Sequence, residues 1–365
     1  MSDPQRTETV EPTATSAVSA DTTKTLRDEP RGRTGWARIL LGRDAIMIYL
    51  LIATIIIAMI SIPRFASPVT VGFLLLDVIP VLLIAMPMTL IIITGEIDLS
   101  VASIVGLASV LTGVLTRAGV PFEMAAIAAI VVGALGGALN GFLVTVVGLP
   151  SLAVTIGTLA LYRGLAIGLL GTTAVTDFPD IWSDLAQARV GNTNIPVVLF
   201  LFLVLLVVFT VLLHFTPFGR GIYAIGLASE AARFSGVRVE RTKLILFVLS
   251  GTVSALAGIY YTLRYGNARG DNATGLELQV IAAVLLGGVS IFGGRGAIHG
   301  VIAGVLLIGV LASALRLANV TSDVINIITG VLLVLSVVAS SFLAWLRKRR
   351  RAPGGTPRVE ASTAG

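Results

Sequence analysis

The chain has 365 residues, of which 55% are hydrophobic and only 13% charged, with a mean hydropathy of +0.95; a soluble domain carries about 25% charged residues. It has no cysteine, which excludes disulfides, thiolate chemistry and cysteine-held metals. His214 and His299 have no second His or carboxylate at ligand spacing, so no metal site is expected. The net charge is +6, but its bases crowd the edges of apolar runs, which points to orientation in a bilayer and away from nucleic acid.

Residues 1–43 are polar and rich in Thr, Ser, Glu and Pro; too little apolar surface is present to fold them, and a disordered tail is expected. No apolar core follows the start at signal-peptide distance. Arg31, Arg33, Arg38 and Arg43 then precede the first apolar run. Apolar runs of membrane-crossing length recur from there on, without the alternation of barrel strands. The fold class expected is all-α, a polytopic transmembrane bundle of about ten spans. They fall near 44–62, 71–94, 99–117, 122–147, 151–170, 196–214, 243–263, 277–293, 297–316 and 322–345, within a membrane domain 44–346. Pro80 and Pro87 predict a kink or break in the second. The eighth is short and Gly-flanked, with a re-entrant course as the alternative.

Three basic segments orient the chain: the N-terminal flank, the loop near 215–242 with Arg220, Arg233, Arg238 and Arg241, and the tail 347–365 beginning "RKRRR". Six spans before the loop and ten in all put the three on one side, the cytoplasmic side under the positive-inside rule. The loop 171–196 then lies outside with Asp177, Asp180 and Asp184. Gly133, Gly137 and Gly141, and Gly296, Gly300 and Gly304, form overlapping GxxxG steps, which predict close helix packing and no particular function.

Within this apolar chain, "ITGEIDLSVASIVG" places Glu96 and Asp98 between two spans. Asp98 suits a cap on a helix starting near Leu99, with Glu96 in a polar break; a broken helix lining a translocation path is the other reading, and the two are compatible. Further along, Asn140 needs an interhelical partner. Thr155, Thr158 and Tyr162 share one helical face. Arg163, deep in the fifth run, either snorkels to the outer interface or pairs with Glu96 or Asp98. "GGVSIFGGRGAIHG" lacks the Gly-Lys-[Ser/Thr] of a phosphate loop, so nucleotide binding is not expected and the stretch reads as a packed turn. In "GLASEAARFSGV", Ser229 as N-cap and Gly236 as stop predict a short helix, 230–235, that presents Ala231, Ala232 and Phe234 beside Glu230 and Arg233. It either lies in the headgroups or docks into a partner's groove. No catalytic constellation is present.

Four blocks, "ITGEIDLSVAS", "LNGFLVTVVGLPSLAVTIGTLALYRGLA", "AIGLASEAARFSGV…LSGTVSALAG" and "AAVLLGGVSIFGGRGAIHG", occur in one order from about Met86 to Gly304. Together they resemble the membrane permease subunits of ATP-binding-cassette importers of the ribose and monosaccharide branch. The family has a second glycine where Glu96 stands and an asparagine where Leu227 or Ala228 stands. The resemblance implies a multi-pass protein of the bacterial inner membrane with both termini cytoplasmic, and no cofactor of its own. Its implied partners are a second permease copy or paralogue, cytoplasmic ATPase subunits and an extracytoplasmic sugar-binding protein. Glu230, Ala231, Ala232, Arg233 and Gly236 would then form the ATPase-coupling helix, and Glu96, Asp98, Asn140, Thr158, Tyr162 and Arg163 are candidates for the path or its buried polar support. The cargo expected is a monosaccharide, with autoinducer-2, a nucleoside or a branched-chain amino acid as alternatives. An H⁺- or Na⁺-driven secondary transporter using Glu96 and Asp98 is the competing class.

Overall fold

The computed structural model describes residues 43–350, with side chains from Met47 to Leu335 and at Val338. The expected disordered tail before Arg43 and most of the basic tail after Arg350 lie outside the described residues. Thirteen helices follow one another: α1 (Arg43–Ser61), α2 (Pro68–Ile93), α3 (Val101–Arg117), α4 (Phe122–Thr145), α5 (Ser151–Leu170), α6 (Asp180–Gln187), α7 (Val198–His214), α8 (Pro217–Leu227), α9 (Ser229–Phe234), α10 (Val239–Tyr265), α11 (Leu276–Leu286), α12 (Ile298–Leu317) and α13 (Ser322–Arg350). Every expected span overlaps a helix, the eighth only as far as Leu286. Five of them, α2, α4, α5, α10 and α12, are long and apolar enough to cross a membrane alone; α7 with α8 makes a sixth, bent by 65°. The rest, α1, α3, α11 and α13, contain shorter apolar stretches. Two helices were not expected from sequence: α6, and α8 inside the basic loop.

Local chemistry sets several boundaries. Ser67 accepts from the Thr70 N–H at 3.2 Å and Pro68 opens α2; Thr216 accepts from the Gly219 N–H at 3.1 Å and Pro217 opens α8. Both are hydroxyl caps followed by a proline whose missing N–H costs nothing there. Gly236 ends the α9 turn at φ +86°, as its sequence position predicted.

Of the kink or break expected at the prolines, the break does not occur: α2 is one helix from Pro68 to Ile93 with Pro80 and Pro87 inside it. Pro80 has no N–H for the Leu76 carbonyl. The Tyr260 hydroxyl of α10 donates to that carbonyl instead, at 2.9 Å. Tertiary packing thus supplies the bond the sequence removes. From Val78 to Ile93 every residue of α2 is buried, as befits a helix apolar on all sides.

The second central helix is α10, and small residues bring it close to its neighbours. A β-carbon on Gly137 would stand 2.1 Å from the Phe247 carbonyl oxygen, and one on Gly251 would stand 2.1 Å from that of Gly133. The first glycine stripe therefore joins α4 to α10. The second joins α12 to α11, where a β-carbon on Gly304 would meet the Ala283 oxygen at 2.2 Å. With lipid as apolar as leucine, such backbone approach is what holds membrane helices together.

Successive helices alternate in direction. One end of the bundle carries residues 94–100, 146–150, the α8–α9 hairpin and the turn 287–297. There the Gly294 N–H donates to the Ile93 carbonyl at 2.8 Å. The other end carries 171–197 and 266–275, bridged by backbone bonds between Val175 and Ala268. After Leu286 the expected eighth span continues as a glycine-rich turn reaching the hairpin end.

Candidate functional site

The link between α2 and α3 organises a buried polar junction. Asp98 is fully buried. Its Oδ1 accepts from the Ser100 N–H at 3.0 Å and the Ser100 hydroxyl at 2.6 Å, and its Oδ2 accepts from the Ser250 hydroxyl of α10 at 2.8 Å. α3 starts at Val101, two residues later than expected, and Asp98 binds the backbone just ahead of it. Asn140 of α4 donates to the Ser100 oxygen at 2.8 Å, which is the interhelical partner its position required. One carboxylate so ties together α3, α4 and α10.

Glu96 lies nearer the hairpin end, half-sheltered, and pairs with Lys243 in the first turns of α10. Its neighbour Ile97 is gripped through its backbone by α5: the N–H donates to Ser151 at 3.3 Å and the carbonyl accepts from Thr155 at 3.2 Å. The shared face read from Thr155, Thr158 and Tyr162 is buried as a unit. Thr158 returns its hydroxyl to the Val154 carbonyl, and Tyr162 donates to Gly136 of α4 at 2.9 Å.

Arg163 pairs with neither Glu96 nor Asp98. Partly buried, it reaches the 266–275 connection at the end opposite the hairpin. Its guanidinium donates to the carbonyls of Gly270 at 2.8 Å, Asn272 at 2.7 Å and Ala102 at 3.3 Å. Gly106 makes room for it, since a β-carbon there would lie 2.6 Å from Nη1. The arginine holds the 266–275 connection onto α3 and α5. Beside it Arg269 grips Asp271 through two hydrogen bonds, 2.8 and 3.0 Å, which hold the Asp271 carboxyl below its usual range.

At the hairpin, α9 forms over Ser229–Phe234, with Ser229 inside the helix and Ala228 as its cap. Arg233 pairs with Glu240 at the start of α10. Ala232 is buried against Ile225 and Val239, contrary to the expectation that it faces outward, because it roots the hairpin. Exposed instead are Phe234 (89%) and Leu227 (70%), with Phe292 of the 287–297 turn at 74%.

The sequence reading missed Asp77, Arg264 and Arg316. Asp77 of α2 accepts from Arg264 of α10 at 3.0 Å and lies 3.5 Å from Arg316 of α12. The signal was present: one acid and two bases, each set within or at the edge of a different apolar run. Asp77 and Arg316 border a cavity of about 440 Å³ among α2, α10, α11, α12 and α13. Among the described residues no group of side chains is placed to hold a metal ion.

The family model for the permease component of the branched-chain amino acid transport system matches residues 70–337. An autoinducer 2 import system permease protein, LsrD, of Yersinia enterocolitica is 36% identical over 287 residues, covering 75% of this chain and 86% of the relative. The LsrD proteins of Yersinia pseudotuberculosis and Yersinia pestis are 34% identical over 331 residues, covering 87% of this chain and 97% of theirs. No solved structure matches the chain. A bundle of apolar helices knit by glycine stripes, and matched to the family over most of its length, belongs to that permease family and is a permease subunit of a ribose-type ATP-binding-cassette importer.

Proposed function

We propose that this chain forms half of the membrane path of an importer that takes up a compact furanose-like polyol, with autoinducer-2 as the first candidate cargo. The observation that carries the cargo is the 36% identity to LsrD over 86% of that relative. A ribose-like monosaccharide is the second reading, favoured by the four sequence blocks.

The hairpin end faces the cytoplasm in this reading. Its loop carries Arg220, Arg233, Arg238 and Arg241, and basic loops stay inside. ATP is hydrolysed on a separate subunit that docks on α9, where Glu230 and Arg233 flank exposed Phe234. A binding protein delivers cargo to the opposite end, and a second permease completes the path. ATP-driven closure moves α9 and tilts the bundle between inward- and outward-open states. Glu96 is held by Lys243 and Asp98 by three donors. That occupancy supports importer over ion-coupled carrier, because neither carboxylate is left as an open ion site.

The test is uptake by the whole importer in vesicles. Autoinducer-2 accumulates only with ATP, and replacing Glu230 and Arg233 together by Ala abolishes uptake while the subunits still assemble as a folded membrane complex. Uphill uptake by the purified permease alone, under an ion gradient, would refute the reading.

A further inference from the structure

The cavity beside Asp77 has features that the helix packing does not require. Thr274 and Ser322 line it at the end opposite the hairpin, and Val81 and Leu333 line it deeper in the bundle. From Ser322 to Leu333, α13 advances about 16 Å, roughly half of a 30 Å hydrocarbon core. The lining therefore runs from that end to about the middle of the bundle. Its volume, about 440 Å³, is in the range of small-ligand sites, about 300–1,000 Å³.

Five helices each send a polar group to it: Asp77 from α2, Tyr261 from α10, Gln279 from α11, Arg316 from α12, and Asn326 and Thr329 from α13. Intramembrane polar groups are costly and normally find partners. The Asp77 charge is answered by Arg264 and Arg316. The side-chain amides of Gln279 and Asn326 make no hydrogen bond among the described residues. Each amide offers both donors and an acceptor. Tyr261 and Tyr265, with ring centroids 4.4 Å apart, form an aromatic wall on one side. Arg163 fixes the rim from behind by holding the carbonyls of Gly270 and Asn272.

From this geometry we infer that each permease carries, within its own helices, a cargo-contacting subsite for an uncharged polyhydroxylated molecule of furanose size. Gln279, Asn326 and Thr329 bind its hydroxyls and the tyrosine pair packs against its C–H face. Donors and acceptors from two helices, facing an aromatic wall from a third, suit a ring that bears hydroxyls and presents a C–H face. The paired state of Asp77 leaves no free carboxylate for an ammonium group, which argues against a zwitterionic amino acid. The inference rests on the proposed cargo class and on the end opposite the hairpin facing outward.

The native chain has no cysteine, so Gln279→Cys and Asn326→Cys each create the permease's sole thiol. The assembled importer, in vesicles with the binding-protein side outward, is treated with a small membrane-impermeant thiol reagent, with and without D-ribose, autoinducer-2 or L-leucine. Thr176→Cys, on the exposed connection at the same end, is the control. At about ten times the half-saturating concentration, the polyol that is taken up slows labelling at both cavity positions about tenfold and leaves Thr176→Cys unchanged. Unchanged labelling in a preparation that demonstrably imports either polyol overturns the subsite and leaves the cargo reading standing. Uptake of neither polyol overturns the cargo reading, and the subsite assignment with it. Protection by L-leucine alone overturns the polyol assignment. As a second measurement, Asn326→Leu raises the half-saturating cargo concentration about fivefold to tenfold, the worth of about one hydrogen bond.

Discussion

Replacing Gly137 by alanine puts a methyl carbon 2.1 Å from the Phe247 carbonyl oxygen and 2.9 Å from its carbon. Comfortable non-bonded contacts lie near 3.5 Å, so α4 and α10 must separate by more than about 1 Å or deform. The obstacle is backbone, which cannot turn aside as a side chain can, and overpacking of this kind costs about 1–3 kcal/mol. Alanine itself favours the helix over glycine by about 1 kcal/mol, which a bare comparison with the native chain would mix in. Gly157→Ala removes that ambiguity: nothing lies within 4 Å of its added carbon, so it gains the propensity and meets no clash. The difference between the two variants isolates the clash. In detergent, followed by size-exclusion after heating, Gly137→Ala should melt roughly 2–12 °C below Gly157→Ala, a clash of about 1–3 kcal/mol taken at about 2–4 °C per kcal/mol. Two variants melting within about 2 °C of each other would refute the close approach of α4 and α10 on which the packing rests.

Asp98→Ala strands three donors in a fully buried junction, at about 1–3 kcal/mol per unsatisfied group, and should lower folded yield and uptake more than Glu96→Gly. The latter loses a single partly solvated ion pair and no fully buried hydrogen bond; equal tolerance in an expression and uptake assay would contradict the junction. Tyr260→Phe uncovers the Leu76 carbonyl and should destabilise by about 1 kcal/mol. Pro80→Ala restores an N–H for that carbonyl, so in the double variant the tyrosine loss should cost little, and a thermal-melt double-mutant cycle with zero coupling would contradict the compensation.

Apolar length alone made the helices legible, since backbone polar groups in lipid leave few alternatives to a helix. Gly236 was legible as a stop because a short polar helix ahead of it needs a left-handed exit. The glycine stripes announced close packing but not their partners, because a small residue states only that something approaches. Pro80 misled for a related reason: local sequence records the missing N–H, whereas the hydroxyl that replaces it comes from Tyr260, 180 positions away in the chain. Arg163 illustrates the same limit. Its charge demanded partners, and carboxylates were the obvious ones, yet carbonyls of an irregular connection supply the acceptors. Asp77, Arg264 and Arg316 were readable one by one as charges near apolar runs. Their meeting depends on the register of three helices, which no single stretch encodes.

The hairpin end has a mechanical consequence. A β-carbon on Gly226 would stand 1.8 Å from the Ile93 carbonyl oxygen and 2.3 Å from the Gly294 nitrogen, so three segments far apart in sequence abut main chain to main chain with no side-chain cushion between them. Side chains absorb displacement by changing rotamer, and bare backbone has no such slack. A push of a few tenths of an ångström on α8 is therefore handed on almost undiminished to the foot of α2 and to the turn ahead of α12, and the three act as a rigid linkage at the base of the bundle.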